Sequence, residues 1–256
     1  MSLLSISGLT MRFGGLTAVS DFDLTMERGE IVGLIGPNGS GKTTVFNMVT
    51  GFYKPTAGRV FFDDTDITGR RPDQVTAAGI ARIFQNNRLF RNLTVFDNVI
   101  IGTHFQLHSS PWAAIARLPS YVREEHKACE EAMALLAGLG LADLVDEPAG
   151  KLPFGLQRRL EVARALSTKP KLLLLDEPAT GMSPEETSEM MDFILKIHQD
   201  FDLTIFLIEH HMPVVMGCCP RILVLNYGKT IAHGTPAEIQ SNDEVIQAYL
   251  GAEEEC

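Results

Sequence analysis

Apolar and polar positions alternate imperfectly through LLSISGLTMRF, which predicts an opening β-strand broken by Gly14 and Gly15. TAVSDFDLTMERGEIVGLIG predicts two more strands about a turn at Glu27 to Gly29, and the second of them runs into GPNGSGKTT. Beyond it, VFNMVTGFY reads as a short helix ending at Gly51, GRVFFDD as a strand, and Asp73 to Ala78 as a short helix. From Leu93 to Leu144 the apolar spacing becomes helical. NLTVFDNVIIG begins with a cap at Asn92 or Thr94, and EEHKACEEAMALLAGLGL places Ala128, Met133, Leu135, Leu136 and Leu139 on one broad face. Between these helices Pro111 and Pro119 mark breaks, and Trp112, the single tryptophan, is expected in local core packing, with a partner contact as the alternative.

After Gly150 strand and helix alternate again. A helix is expected from Gly155 to Leu166, a strand at KLLLLD, a helix from Pro184 to His198, strands at LTIFLIE and RILVLNYG, and a closing helix in AEIQSNDEVIQAYLG. Apolar strands separated by helices imply an α/β fold with a largely parallel sheet covered on both faces, and the opening strands add an antiparallel layer. EEEC reads as a frayed tail.

Composition narrows the function classes. The chain has 256 residues, of which 45% are hydrophobic, enough for a substantial core. Its 32 acidic and 22 basic residues leave a net charge of -10, so no global positive field draws it to a nucleic-acid backbone, and nucleic acid is not expected as a partner. No apolar run approaches the roughly 20 residues of a membrane-spanning helix, and MSLLSISGLTMRFGG lacks the form of a secretory signal, which places the chain in the cytoplasm with docking to a membrane partner open. Cys129, Cys218, Cys219 and Cys256 form no C-x-x-C pair and read as ordinary thiols.

The chemistry is carried by Gly36-Pro37-Asn38-Gly39-Ser40-Gly41-Lys42-Thr43, which fits GxxxxGK[ST] between an apolar strand and a helix. Backbone N–H groups in such a loop curl around phosphate oxygens, and the following helix N-terminus adds partial positive charge. Lys42 is expected to reach the β- and γ-phosphates of ATP, and Thr43 to ligate Mg2+, with Thr44 next to it in the nucleotide site. LLLLDEP places Asp176 and Glu177 at a strand end, where ligands bind in α/β sheets. Asp176 can hold Mg2+ through its water shell, and Glu177 can polarise the attacking water.

With these elements in place the chain resembles the ATP-binding subunits of ABC transporters over essentially its whole length. The resemblance implies one ABC-type P-loop ATPase domain spanning 1–256: a core with an antiparallel β layer at 1–92 and 157–256, and a helical subdomain at 93–156 that includes the signature segment. It sets Phe13 where an aromatic ring stacks on adenine, Gln85 in ARIFQNN as the glutamine near Mg2+ and the attacking water, and His210 in LIEHH as the switch histidine. Taken alone, Phe13 would be a core aromatic, Gln85 a loop amide and His210 a packed histidine. GLQRRLEVARAL resembles the signature helix, and Gly181-Met182-Ser183-Pro184 the loop of the dimer contact. The implied mechanism is a head-to-tail pair that ATP closes and hydrolysis opens, with Lys42, Glu177, His210 and Gln85 in the catalytic group.

Two departures stand out. Where the family has Leu-Ser-Gly-Gly-Gln, this chain has Leu152-Pro153-Phe154-Gly155-Leu156. Pro153 has neither the hydroxyl nor the N–H of the usual serine, so the site this segment completes on a partner's nucleotide is altered, while the site built from Lys42 and Glu177 is intact. The expectation is a heterodimer with a related ATPase whose signature is complete, a homodimer being the alternative. His211 stands where relatives often carry an acid, and the dimer-contact loop lacks its usual aspartate, which leaves Ser183 and backbone groups for that contact.

Within the family, MRFGGLTAVSDFDL, FNMVTGFYKPTAGRVFFDDTDITG, GIARIFQNNRLFRNLTVFDNV and EVIQAYLG look most like the first of the two ATPases in branched-chain amino acid importers. A long helical insertion over HFQLHSSPWAAIARLPSYVREEHKA is also like that group. The resemblance implies two membrane-spanning permeases, a second ATPase, a solute-binding protein, and a place on the cytoplasmic face of the membrane. Importers of urea, amides or other amino acids, a lipopolysaccharide exporter, and an ATP-binding regulator or scaffold are the alternatives.

Overall fold

The computed structural model describes residues 2–86, 88–103 and 117–250. Trp112, Pro111, Cys256, the EEEC tail and much of the helical insertion lie outside them. The chain divides into two compact units, Met1–Gln85 with Lys171–Cys256, and Asn86–Pro170.

The first unit holds two sheets. Strands β1 (Ser2–Phe13), β2 (Leu16–Glu27), β4 (Ala57–Phe62) and β5 (Thr65–Asp66) form an antiparallel sheet in the order β2-β1-β4-β5. The imperfect alternation of the opening strand has a structural cause. The β1–β2 register shifts between Ile6 and Leu9 and again between Leu9 and Met11, with Asp21 of β2 at φ 55, so the inward positions do not keep a strict period of two.

The second sheet runs β10-β9-β3-β8-β7-β6, from β3 (Ile31–Ile35), β6 (Ile80–Ile83), β7 (Leu172–Asp176), β8 (Thr204–Ile208), β9 (Arg221–Asn226) and β10 (Lys229–Gly234). All neighbours are parallel except β10, which lies antiparallel on the edge. IVGLI, LLLLD and TIFLI are buried at every position, as central parallel strands covered on both faces must be. Helix α1 (Lys42–Val49) adds Val45, Phe46, Met48 and Val49 to a core shared with Leu4, Ile6, Phe22 and Phe62 of the antiparallel sheet and Phe206 of the parallel one. The Phe46 and Phe206 rings sit 4.9 Å apart. The helix that follows the glycine-rich loop is thus anchored in the main core.

Helix α2 (Pro72–Ala78) precedes β6. In the second unit, α3 (Val95–Thr103) packs against α4 (Pro119–Gly138) and α5 (Phe154–Leu166). Val95, Val99, Ala128, Ala132, Leu136, Leu139, Leu160 and Ala163 are buried. Thr94 accepts from the Asp97 N–H at 3.0 Å and caps α3. Returning to the first unit, α6 (Pro184–Asp200), α7 (Met212–Cys218), α8 (Pro236–Gln240) and α9 (Asp243–Leu250) complete the chain.

Several sequence expectations are corrected. The unit boundaries fall at 85/86 and 170/171 rather than 92/93 and 156/157. All of α5 belongs to the helical unit, because Leu160 and Ala163 are packed there. Met133 is exposed and Leu135 only half-buried, since α4 turns Ala128, Ala132 and Leu136 inward at a spacing of four. Pro119 opens α4 at its first turn, where a missing N–H costs nothing. The closing helix is two helices, because Thr235 caps α8 and the chain breaks again at Ser241 and Asn242. Strands β5, β6 and β10 and helix α7 had no counterpart in the pattern reading.

Candidate functional site

The loop from Gly36 to Gly41 leaves β3 at the edge of the core and enters α1. Its shape depends on glycine at two tight approaches. A Cβ on Gly36, at φ 149, would stand 2.0 Å from the Leu225 carbonyl oxygen, and one on Gly41, at φ 108, 2.6 Å from that of Ala18. No side chain caps α1, so the N–H groups of its first turn are left to an anion, as at other helix N-termini. Lys42 is buried, and its Nζ donates to the Gly36 carbonyl at 2.7 Å and the Pro37 carbonyl at 2.9 Å, arching across the loop. Burial lowers the Lys42 pKa, against the opposing pull of Glu177 and Asp176.

Asp176 ends β7 with its carboxylate buried, and burial raises its pKa while Arg82 holds it down. Glu177, the next residue, has φ 49, a left-handed conformation that is strained for any residue but glycine. The turn aims its carboxylate at three groups. Glu177 Oε2 accepts from Gln85 Nε2 at 2.6 Å and from Thr180 Oγ1 at 3.1 Å, and His210 Nδ1 stands 3.4 Å away.

Gly36, Pro37, Asn38, Gly39, Ser40, Gln85, Glu177, Thr180 and His210 line one cavity of about 710 Å³, whose remaining wall includes Asn226 and Tyr227 after β9 and Ala248 and Tyr249 of α9. The structure therefore brings together the loop, Gln85, Glu177 and His210, which lie far apart in sequence. Thr43 is exposed and Thr44 half-buried at the start of α1. Phe13, at the end of β1, is exposed and meets Tyr53 edge-on at 5.4 Å, outside the cavity wall.

Oxygen donors at Thr43, Gln85 and Asp176 suit a hard divalent cation such as Mg2+, and Arg82 donates to Asp176 at Oδ2. In the helical unit, Leu152 is buried and Pro153 is the N-cap of α5, with no side-chain cap on the helix. Phe154 is exposed beneath Arg158 at 5.4 Å, Leu156 is half-buried, and a Cβ on Gly155 would meet nothing within 4 Å. Ser183 caps α6 by accepting from the Glu186 N–H, and His211 is the N-cap of α7 with its ring 4.8 Å from that of His210.

Three groups at this site escaped the sequence reading. Arg82 left a signal, a lone cation inside the apolar run IARIF. Thr180 and Tyr249 left none, because their part depends on how the chain folds back. The Tyr249 hydroxyl is buried beside the Gly36 backbone, and burial pushes its pKa up to about 12.

The doubly covered parallel sheet, the antiparallel layer and the phosphate loop define a P-loop ATPase of the cassette type. The family profile "ABC transporter" matches residues 19–180, and the profile "Branched-chain amino acid ATP-binding cassette transporter" matches residues 229–255. The chain is 46% identical to the high-affinity branched-chain amino acid transport ATP-binding protein LivG of Escherichia coli, over 97% of this chain and 98% of that one. It is 43% identical to BraF of Pseudomonas aeruginosa, which carries the same description, with the same coverage. The crystal structure of MJ1267 in its ADP conformation, an ATP-binding cassette of an ABC transporter, superposes with a TM-score of 0.85 at 31% identity, over 98% of this chain and 99% of that one. The chain belongs to the ABC transporter family, as an ATPase subunit whose hydrolysis is coupled to transport.

Proposed function

We propose that the chain powers import of branched-chain amino acids as one of two ATPases on the cytoplasmic face of a membrane, seated on two permease subunits that receive solute from a binding protein. The observation that carries the ATPase half is the convergence of Gln85, Thr180 and His210 on Glu177 across the cavity from the phosphate loop. The solute assignment rests on the relatives, LivG and BraF, whose descriptions name that transport.

In this reading the amides of residues 36–41 and the Lys42 ammonium hold the ATP phosphates, and Phe13 stacks on adenine. Thr43, Gln85 and Asp176 would hold Mg2+, which would supply charge neutralisation at the transferring phosphoryl group. Glu177 accepts a proton from the attacking water, and its strained backbone and the Thr180 hydroxyl keep the carboxylate aimed. His210 and Gln85 flank the same oxygen and orient water and γ-phosphate. Lys42 stabilises charge on the phosphoryl oxygens.

The pairing is proposed as asymmetric. The α5 N-terminus keeps its free N–H groups and open Gly155, but Pro153 and Leu156 remove the side-chain donors of the usual signature. A partner ATPase with a complete signature would close on this chain's intact site.

The test is purification of the tagged chain in mild detergent, followed by uptake of labelled leucine into vesicles carrying the recovered complex. Two permeases, a second ATPase and ATP-dependent leucine uptake support the proposal. Two copies of this chain without another ATPase overturn the asymmetric pair, and uptake of a different solute overturns the substrate.

A further inference from the structure

Glu209 is fully buried, and no part of the mechanism above uses it. It follows β8 directly and stands between the two loops that carry the reacting groups. Its Oε1 accepts from the Ala179 N–H at 2.8 Å, two residues past Glu177. Its Oε2 accepts from the N–H groups of His210 at 3.0 Å and His211 at 3.2 Å. One carboxylate thus joins the turn after β7 to the turn after β8. Beside it, the Glu177 N–H donates to the Ile208 carbonyl at 2.8 Å.

A buried carboxylate is costly unless it is paired or richly hydrogen-bonded. Three backbone N–H groups donate to the carboxylate, and the Nδ1 of the His210 ring stands 4.0 Å from Oε2. An apolar residue here would leave the Ala179, His210 and His211 N–H groups without this acceptor, so the glutamate answers a hydrogen-bonding need that packing alone does not meet. What the carboxylate adds is geometry. The three bonds set the Ala179 amide against those of His210 and His211, and so set the distance from Glu177 Oε2 to the His210 ring, 3.4 Å.

We propose that Glu209 is a positioning residue for hydrolysis: it fixes the Glu177 turn against the His210 turn and acts on the reaction only through them. The inference rests on the ATPase reading of Glu177. It has a direct chemical consequence. Glutamine has the same shape, but its NH2 must face either Ala179 or the histidine amides, donor against donor, so E209Q releases one loop and leaves the phosphate loop untouched. Misplacement of a reacting group by about 1 Å can cost on the order of 100-fold in rate.

The experiment compares wild type, E209Q, E209D and E177Q in the assembled transporter, reading kcat, KM for ATP and nucleotide affinity. The expected result is a kcat about 10- to 100-fold lower in E209Q with ATP affinity within about threefold of wild type, and partial recovery in E209D, which keeps the charge. A lowered melting temperature with unchanged kcat, or a loss of ATP affinity that parallels kcat, overturns the inference. If E209Q does not assemble, amide hydrogen exchange on the wild-type complex decides. The Ala179, His210 and His211 amides must be protected together, and exchange at open-loop rates refutes the bridge. E177Q separates the two levels: turnover in E177Q sinks the role of Glu177 itself, whereas a dead E177Q beside a fully active E209Q sinks only the positioning role.

Discussion

Arg82 donates to Asp176 Oδ2 at 2.6 Å, and each of the two side chains is 5% exposed. The same guanidinium donates to Asn47 Oδ1 at 2.7 Å and Thr50 Oγ1 at 3.3 Å, and lies 4.6 Å over the Phe84 ring. It therefore ties the strand that carries Asp176 to the end of the phosphate-loop helix. Removing one partner of a buried ion pair strands the other, which costs about 3–5 kcal/mol. R82A should lose stability of that order in urea unfolding, and R82A/D176N should regain much of it. Equal losses in the single and double variants would show that the pair is not coupled.

E177Q should bind ATP as wild type does while phosphate release falls at least about 100-fold, the loss expected when a general base is removed. Filter binding and phosphate release on the same preparation measure the two effects. Unchanged turnover would remove Glu177 from the reaction.

K42A removes the one ammonium that arches over the loop. A charged hydrogen-bonded contact contributes about 1.5–3 kcal/mol, so ATP affinity should fall roughly 10- to 100-fold in calorimetry.

Gly36 and Gly155 should respond oppositely to alanine. In G36A the new Cβ meets the Leu225 oxygen at 2.0 Å, and stability should fall by about 3 kcal/mol or more, the range of severe backbone clashes. In G155A the Cβ meets nothing, and the isolated chain should gain up to about 1 kcal/mol from helix propensity. If Gly155 faces a partner's nucleotide, the paired complex should nonetheless lose ATPase activity, about tenfold or more. Thermal melts of the free chain and turnover of the complex separate the two glycines.

Cys218 and Cys219 are buried, and burial raises both thiol pKa values, that of Cys218 to about 11. Iodoacetamide at pH 8 should leave both unmodified in the folded chain and alkylate both in denaturant, as read by peptide mass mapping. Rapid labelling of the native protein at either position would contradict the packing of α7.

The phosphate loop and the DE pair were legible because their chemistry is local. Eight consecutive residues make the anion cradle, and an apolar strand delivers Asp176 and Glu177 at its end. The central strands were equally plain, since IVGLI, LLLLD and TIFLI are apolar throughout. Strand β6 was not: four residues, IARI, with a cation among them, carry too little pattern to stand out until Leu172–Leu175 pair with them. The edge strand β10 is half-exposed and polar, so burial does not mark it.

By itself the sequence determined the class of the molecule, the loop that receives phosphate and the acids that follow β7, because each is written in neighbouring residues. Only the tertiary structure decided what surrounds them. Arg82 against Asp176, Thr180 and Gln85 against Glu177, Tyr249 beside Gly36, and Glu209 between two catalytic turns are meetings of residues as many as 213 positions apart. Hydrogen bonds act over about 3 Å in space, and nothing in the spacing of a linear chain encodes which distant donors and acceptors the packed strands will bring within that reach.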